Sequence, residues 1–174
     1  MKALITMSLA LLFFVGVDAK AQPKLETVEK VDLPRYLGLW YEIASLPQWF
    51  QRNCYGTTAE YSMKGEDLQV INRCFKGSLS GSESKAVGKA WAVDDSNAKL
   101  KVQFFWPFRG DYWIIELGEN YEYAVIGSPK RKSLWILSRT PQMDETLFND
   151  LIEKIKNKHH YTNLDQLQKT EQPE

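Results

Sequence analysis

Eight short runs rich in β-branched and aromatic residues fill the chain between Tyr36 and Thr140. Short polar or glycine-containing segments, of the length that joins neighbouring strands, separate them. No helical pattern long enough for a crossover between parallel strands interrupts the series. The pattern therefore predicts an all-β fold, an up-and-down antiparallel sheet of eight strands that closes into a barrel. The runs are LWYEIASL, CYGTTAEYS, LQVINRCF, SKAVGKAWAV, KLKVQFFW, DYWIIEL, YEYAVIGS and SLWILSR.

Side-chain alternation indicates which positions face the interior of this barrel. Leu68, Val70 and Asn72 share one face of their strand, and Tyr61 lies on the corresponding face of the strand before it. Two stretches, FFW and YWII, are apolar on both faces. We expect the strands that carry them to be covered on the outside as well as the inside.

One amphipathic segment follows the eight runs. In MDETLFNDLIEKIKNKHH, Leu147, Leu151 and Ile155 recur at four-residue steps, with charged residues on the opposite face. This spacing predicts a helix from Asp144 to about Lys158 that packs against the outside of the barrel. The final segment, YTNLDQLQKTEQPE, could add one further strand.

The first 21 residues have the pattern of a secretory signal peptide. Lys2 precedes an apolar run, LITMSLALLFFVGV, and small-x-small cleavage sites end at Ala19 and Ala21. The run is shorter than the roughly 20 apolar residues of a membrane-spanning helix. We expect residues 1–21 to be removed and residues 22–174 to form one exported domain, periplasmic or secreted. Because no cysteine lies near either cleavage site, no lipid anchor is expected.

Charge and motifs argue against several functions. The 22 basic and 22 acidic residues give a formal net charge of zero, so no nucleic-acid partner is predicted. The sequence contains no P-loop, HExxH or GxSxG motif, and we predict neither an enzyme nor a bound cofactor. Glu42, Glu60 and Glu116 lie within strand runs and are expected to face solvent. His159 and His160 are expected to be solvated rather than to bind metal.

Three short motifs resemble a known family. Gly38-Leu39-Trp40-Tyr41 is similar to the G-x-W signature of lipocalins, YEYAVIG to their second signature, and WILSRTP to their third, with Arg139 as its arginine. RYLGLWYEIASLPQWFQRNC, TAEYS, VINRC and KVQFFWPFRGDYWIIEL are most similar to the bacterial lipocalin and apolipoprotein D branch. The resemblance covers nearly all of residues 22–174. It implies an eight-stranded lipocalin barrel with one C-terminal helix packed outside.

The resemblance also assigns a role to the first and third motifs. In lipocalins the arginine lies across the tryptophan at the closed end of the barrel. This implies a cation–π contact of Arg139 with Trp40, worth about 0.5–2 kcal/mol, with Gly38 allowing the chain to bend tightly beneath it.

The two cysteines, Cys54 and Cys74, are expected to form a disulfide, because an even pair in an exported protein most simply means one bridge. Such a bridge would add about 3 kcal/mol of stability in the chain-entropy model. Two free thiols are the alternative. Strict alternation places the two cysteines on different strand faces, so the bridge requires either a bulge or a Cys54 that lies in the preceding loop.

The resemblance predicts a binding function. Tyr61, Asn72 and Trp135 align with pocket-lining positions of the apolipoprotein D branch, which implies a small hydrophobic ligand, a fatty acid or lysophospholipid, that the protein stores or transports. The alternative for these three residues is ordinary barrel filling.

A second function class remains open: a protein- or membrane-interaction module. Trp49 and Phe50, and the segment Phe105 to Phe108, would lie on loops at the barrel mouth. There they could gate the barrel, make peripheral membrane contact or form a homodimer face.

Overall fold

A computed structural model describes residues 22–174; the predicted signal peptide, residues 1–21, lies outside the described residues. A one-turn helix precedes nine strands, and a longer helix follows the eighth. The elements are α1 (Leu33–Tyr36), β1 (Gly38–Ser45), β2 (Cys54–Lys64), β3 (Asp67–Lys76), β4 (Ser82–Ala92), β5 (Lys99–Gln103), β6 (Gly110–Leu117), β7 (Tyr123–Gly127), β8 (Leu134–Ser138), α2 (Glu145–Asn157) and β9 (Gln168–Lys169), with short 3-10 turns at Trp49–Gln51 and Leu164–Gln166.

The sheet closes on itself. Each strand from β2 to β7 pairs antiparallel with the next, β8 pairs with β1, and β1 pairs with β2. The predicted eight-stranded antiparallel barrel is therefore confirmed, and β9 adds the further short strand beside β1. Because the strands alternate in direction, the β1–β2, β3–β4, β5–β6 and β7–β8 connections share one end, which we call the mouth end. The other three connections lie at the closed end.

The helix α2 covers one outer wall of the barrel. Phe148, Leu151 and Ile155 are buried against outward-facing residues that include Ile115 and Ile136. The Asp144 carboxylate accepts hydrogen bonds from the N–H groups of residues 146 and 147, and this N-cap begins the helix at residue 145. The predicted helix and its position are confirmed. None of the helices within residues 22–174 is long and apolar enough to cross a membrane.

The two runs that are apolar on both faces, YWII and FFW, differ in burial. Ile114 is buried inside the barrel and Ile115 under α2, as expected for YWII. The expectation for FFW is wrong: β5 ends at Gln103, and the run continues as a loop in which Phe105 and Trp106 are 71% and 84% exposed. Proline at position 107 has no N–H to donate, which is consistent with the end of the ladder here.

A bulge in β2 brings the cysteines together. The pairing of β2 with β3 shifts by one residue between Tyr55 and Thr58, and Gly56 lies there with φ of +57°. The extra residue reverses the facing of the strand on one side of the bulge. Cys54 and Cys74 then form the predicted disulfide, with Cα atoms 5.4 Å apart.

The C-terminal segment fills a gap between β1 and β2. These strands pair directly through only four residue pairs, all near the closed end. Nearer the mouth, the Glu171 carbonyl accepts a hydrogen bond from the Gly56 N–H at 2.8 Å. The Gln172 amide donates to the backbone carbonyls of Glu42 and Thr57, both at 2.8 Å. The tail thus satisfies backbone groups that the separated strands leave unpaired.

Candidate ligand-binding site

The closed end is covered by an arginine stacked on a tryptophan. Trp40 is fully buried, and the guanidinium carbon of Arg139 lies 3.8 Å from its ring centroid. Arg139 also donates hydrogen bonds to the backbone carbonyls of Leu39 at 2.9 Å, Arg35 at 2.8 Å and Tyr121 at 3.2 Å. One side chain therefore ties together β1, the α1 turn and the β6–β7 connection.

Gly38 is required by its backbone conformation. Its φ of +93° is one that residues with a Cβ rarely adopt. A Cβ placed there would lie 3.5 Å from the Nη1 atom of Arg139, which is an ordinary contact. The turn into β1, rather than lack of space, therefore explains the glycine.

Three tyrosines meet inside the barrel. Tyr36 comes from α1, Tyr61 from β2 and Tyr112 from β6, and all three are buried. The Tyr112 hydroxyl lies 2.7 Å from the Tyr36 hydroxyl and 2.8 Å from that of Tyr61. Burial raises the pKa of each phenol, so all three are neutral at physiological pH.

One hydroxyl hydrogen of this tyrosine cluster is not used in the hydrogen bonds among the three tyrosines. Three hydroxyls carry three hydrogens, and the two contacts use two of them. The third hydrogen is available to an acceptor from outside the cluster. Carboxylate, phosphate and carbonyl oxygens are such acceptors.

Trp135 lies at the mouth end of the interior. It is half-buried in β8 and packs against the inner core. Its indole N–H donates to the Gln51 side-chain oxygen at 2.9 Å, and the Gln51 amide donates to the Glu42 carboxylate at 2.6 Å. The same carboxylate accepts hydrogen bonds from the hydroxyls of Ser45 at 3.0 Å and Thr170 at 2.6 Å.

Glu42 is the buried acid of this network. Burial raises its pKa, and the hydrogen bonds from Thr170, Gln51 and Ser45 oppose that shift. The carboxylate therefore joins Trp135, the β1–β2 loop and the C-terminal tail through hydrogen bonds alone, without a cationic partner among the described residues.

Comparison with protein-family models decides the family. Residues 31–172 match the model of a lipocalin-like domain. The chain is a lipocalin. The match begins just before α1 and ends within the tail segment, so it spans all the strands that form the barrel.

Similar curated proteins come from plants, bacteria and animals. The chain is 39% identical over 144 residues to temperature-induced lipocalin-1 of Arabidopsis thaliana, covering 75% of each protein. It is 38% identical to the outer membrane lipoprotein Blc of Vibrio cholerae, covering 86% of each. It is 35% identical to mouse apolipoprotein D, covering 70% of this chain and 67% of that protein. These relatives place it in the bacterial lipocalin and apolipoprotein D branch.

Solved structures agree on the fold. Insecticyanin from the tobacco hornworm Manduca sexta superposes with a TM-score of 0.69 at 21% identity, covering 87% of this chain and 86% of that one. Lobster apocrustacyanin A1 gives a TM-score of 0.65 at 20% identity, covering 81% of this chain and 79% of that one.

Tyr61, Asn72 and Trp135 lie at different depths of this lipocalin barrel. Tyr61 is level with Gly38 at the closed end, since the two residues pair across β1 and β2. Asn72 pairs with Ala59, two residues nearer the mouth than Tyr61, and lies on the same inner face. Trp135 pairs with the last residue of β1. The span from Tyr61 to Trp135 is about seven residues of strand, or roughly 23 Å at 3.3 Å per residue.

The structure corrects two expectations about charged residues. Glu60 is partly exposed and pairs with an arginine, but Glu42 and Glu116 are only 6% and 8% exposed. His159 is 1% exposed and its Nε2 lies 2.7 Å from the Glu116 carboxylate, whereas His160 is exposed as expected.

Signals for these buried residues were present in the sequence. Glu42 has the same strand parity as Trp40, which faces inward. His159 continues the four-residue series of Leu151 and Ile155. By contrast, Tyr36 and Tyr112 come from separate elements, and only the closed barrel shows that their hydroxyls meet.

One open cavity lies away from these residues. It has a volume of about 460 Å³, and its lining includes Gln69, Val87, Lys89 and Gln103. These four side chains point outward, but Leu68 and Phe104, which belong to or pack on the inner core, also line the cavity. Tyr61, Asn72 and Trp135 are not among its lining residues. We therefore consider the barrel interior, which carries the aligned positions, as the candidate ligand site.

Proposed function

We propose that this lipocalin binds a fatty acid or lysophospholipid inside its barrel and stores or carries it outside the cytoplasm. The observation that carries the proposal is the inner-face arrangement of Trp135, Asn72 and Tyr61 at successive depths. An extended acyl chain is long and narrow enough to contact all three. The lipocalin family binds small hydrophobic molecules, and relatives in this branch are named outer membrane lipoprotein and apolipoprotein D.

Burial of the acyl chain supplies the affinity. Removing 14 to 16 methylenes from water is worth on the order of 10 kcal/mol at about 0.8 kcal/mol each. Loss of ligand freedom offsets much of this gain, which leaves an affinity on the order of micromolar. The walls around the chain are the inner core, mainly aromatic and branched side chains.

Polar groups inside the barrel orient the ligand head. The half-buried Asn72 amide forms no hydrogen bond with another described residue, and the tyrosine cluster keeps one hydrogen to donate. A carboxylate or phosphate oxygen satisfies either donor. Binding and release of this kind need no covalent step and no cofactor, so we propose a carrier and not an enzyme.

Tryptophan fluorescence tests the proposal. Titration of the mature protein with a C16–C18 fatty acid should quench fluorescence through Trp135. In Trp135→Phe most of this quenching should be lost, whereas Trp113→Phe, which changes a half-buried tryptophan on the outer wall, should retain it. Native mass spectrometry of protein purified from its source should show a co-purified amphiphile.

Two results would change the proposal. If no amphiphile binds below about 100 micromolar and the Trp135 signal responds to none of them, the lipid carrier is excluded. If bulky ring compounds bind and straight chains do not, the internal site stands but its ligand is not an acyl lipid.

A further inference from the structure

Five large aromatic side chains are exposed on two loops at the mouth end; we call them the aromatic rim. They belong to two loops, residues 46–53 and 104–109, which the alternating strand directions place at the same end of the barrel. Exposed apolar groups of this size in one region mark an interaction surface. The aromatic rim consists of Trp49 (78% exposed), Phe50 (50%), Phe105 (71%), Trp106 (84%) and Phe108 (77%).

The same end carries a one-sided charge. The four mouth-end connections read LPQWFQRN, GSLSG, FFWPFR and SPKRKS, and they contain five basic residues and no acidic one. The three closed-end connections read GE, VDDSNA and GENYE, and they contain five acidic residues and no basic one. The strand-to-strand connections are therefore basic at the mouth end and acidic at the closed end. The basic residues are Arg52, Arg109, Lys130, Arg131 and Lys132.

Four of the five basic side chains are free to meet a partner. Arg52, Arg109, Lys130 and Lys132 are exposed. Arg131 is buried and donates hydrogen bonds to the backbone carbonyls of His159 and Pro23. The mouth-end loops thus carry both exposed aromatic rings and exposed cations.

We propose that the mouth end docks on a membrane surface that contains anionic phospholipids. Tryptophan and phenylalanine favour the interfacial layer of a bilayer, and nearby lysines and arginines are attracted by anionic headgroups. The acidic closed end then points away from the membrane. Docking in this orientation does not require that the barrel hold a lipid, and it stands or fails independently of the carrier function.

A second copy of the chain fits this surface poorly. In a symmetric dimer formed mouth to mouth, the same patch meets itself, so the two sets of cations would face each other. No acidic residue in the mouth-end connections is available to compensate them. An anionic bilayer complements both the charge and the apolar rings.

Vesicle co-sedimentation of the mature protein tests the electrostatic part. Binding should be stronger to phosphatidylcholine vesicles that contain phosphatidylglycerol than to pure phosphatidylcholine, and high salt should weaken it. Lys130→Gln and Lys132→Gln should each lower the partition constant by about fivefold. Lys30→Gln, which removes the same charge from an exposed site beside the closed-end β4–β5 connection, should leave it unchanged.

The aromatic part needs its own variants. Trp106→Ser should lower the partition constant by roughly tenfold, whereas Val93→Ser, at an exposed apolar site in the closed-end β4–β5 connection, should have no effect. Circular dichroism and thermal unfolding of every variant establish that it is folded. The proposal is overturned if binding does not depend on anionic lipid, or if Lys30→Gln is as damaging as Lys130→Gln. A concentration-dependent dimer that Trp106→Ser abolishes would instead assign the surface to a second copy.

Discussion

Replacing Arg139 by alanine should destabilise the barrel with little direct effect on ligand binding. The side chain stacks on Trp40 at 3.8 Å and donates three hydrogen bonds to backbone carbonyls of β1, the α1 turn and the β6–β7 connection. Arg139→Ala removes all of these interactions and leaves three acceptors to be satisfied by water. These contacts lie at the closed end, so the ligand contacts at Trp135, at the mouth, should be retained.

The size of the effect follows from the contacts. The cation–π interaction contributes about 0.5–2 kcal/mol. Each hydrogen bond contributes roughly 0.5–1.5 kcal/mol net, and the partial exposure of Arg139 favours the lower half of that range. We expect a loss of about 3 kcal/mol in the free energy of unfolding. For a domain of this size, the melting temperature should fall by roughly 6–12 °C.

Urea unfolding followed by circular dichroism measures this loss. Arg52→Ala is the matched control, because that arginine is exposed at the mouth end and its side chain makes no hydrogen bond to a described residue; its stability should stay within about 0.5 kcal/mol of the parent. Arg139→Lys keeps the charge but not the planar fork, and should give an intermediate loss. An Arg139→Ala protein as stable as Arg52→Ala, or one that fails to bind ligand while folded, would refute the reasoning.

Two buried acids predict opposite pH dependences of stability. Burial raises the pKa of Glu116, but hydrogen bonds from His159 and Lys158 outweigh burial and lower it to about 2, so its stabilisation is complete above its ordinary value of 4.5 and is lost as pH falls towards 2. The stability advantage of the parent over Glu116→Gln in urea unfolding should therefore shrink on acidification through that range; a constant difference would contradict it. Burial raises the pKa of Glu42 above 4.5, so its contribution is most favourable below that value and declines as pH rises through the folded-state pKa. Glu42→Gln should gain stability relative to the parent as pH rises from about 4.5, and a relative loss would show that the acid is not destabilised by burial.

Local patterns predicted most of the fold because each element satisfies itself over a short stretch of chain. Alternation identified the strands, four-residue spacing identified α2, and Asp144 identified its start. Gly38 signalled the turn into β1 because only a residue without Cβ readily adopts its φ. The disulfide required one feature that strict alternation excludes, the bulge at Gly56, and that feature depends on how β2 pairs with β3.

Contacts between distant segments could not be predicted from those patterns. Gln172 donates to the backbone of Glu42 and Thr57, which lie 130 and 115 residues earlier in the chain. Nothing local in the tail indicates that it fills the gap between β1 and β2. The burial of Glu42 follows in part from this tail, since Thr170 supplies one of its three hydrogen-bond donors.

The role of the FFW run can be assigned only once its place in the barrel is known. A strand covered on both faces and an exposed aromatic loop are both continuous apolar runs, so hydrophobicity alone cannot separate them. The strand directions decide the matter: β5 ends at Gln103, and the next residues fall at the same end of the barrel as Trp49 and Phe50. Phe50 and Phe105, which are 55 residues apart in sequence, therefore lie on loops at the same end as the basic β7–β8 loop. If these aromatic residues were in a strand covered on both faces, they would be core residues and would not indicate a binding partner.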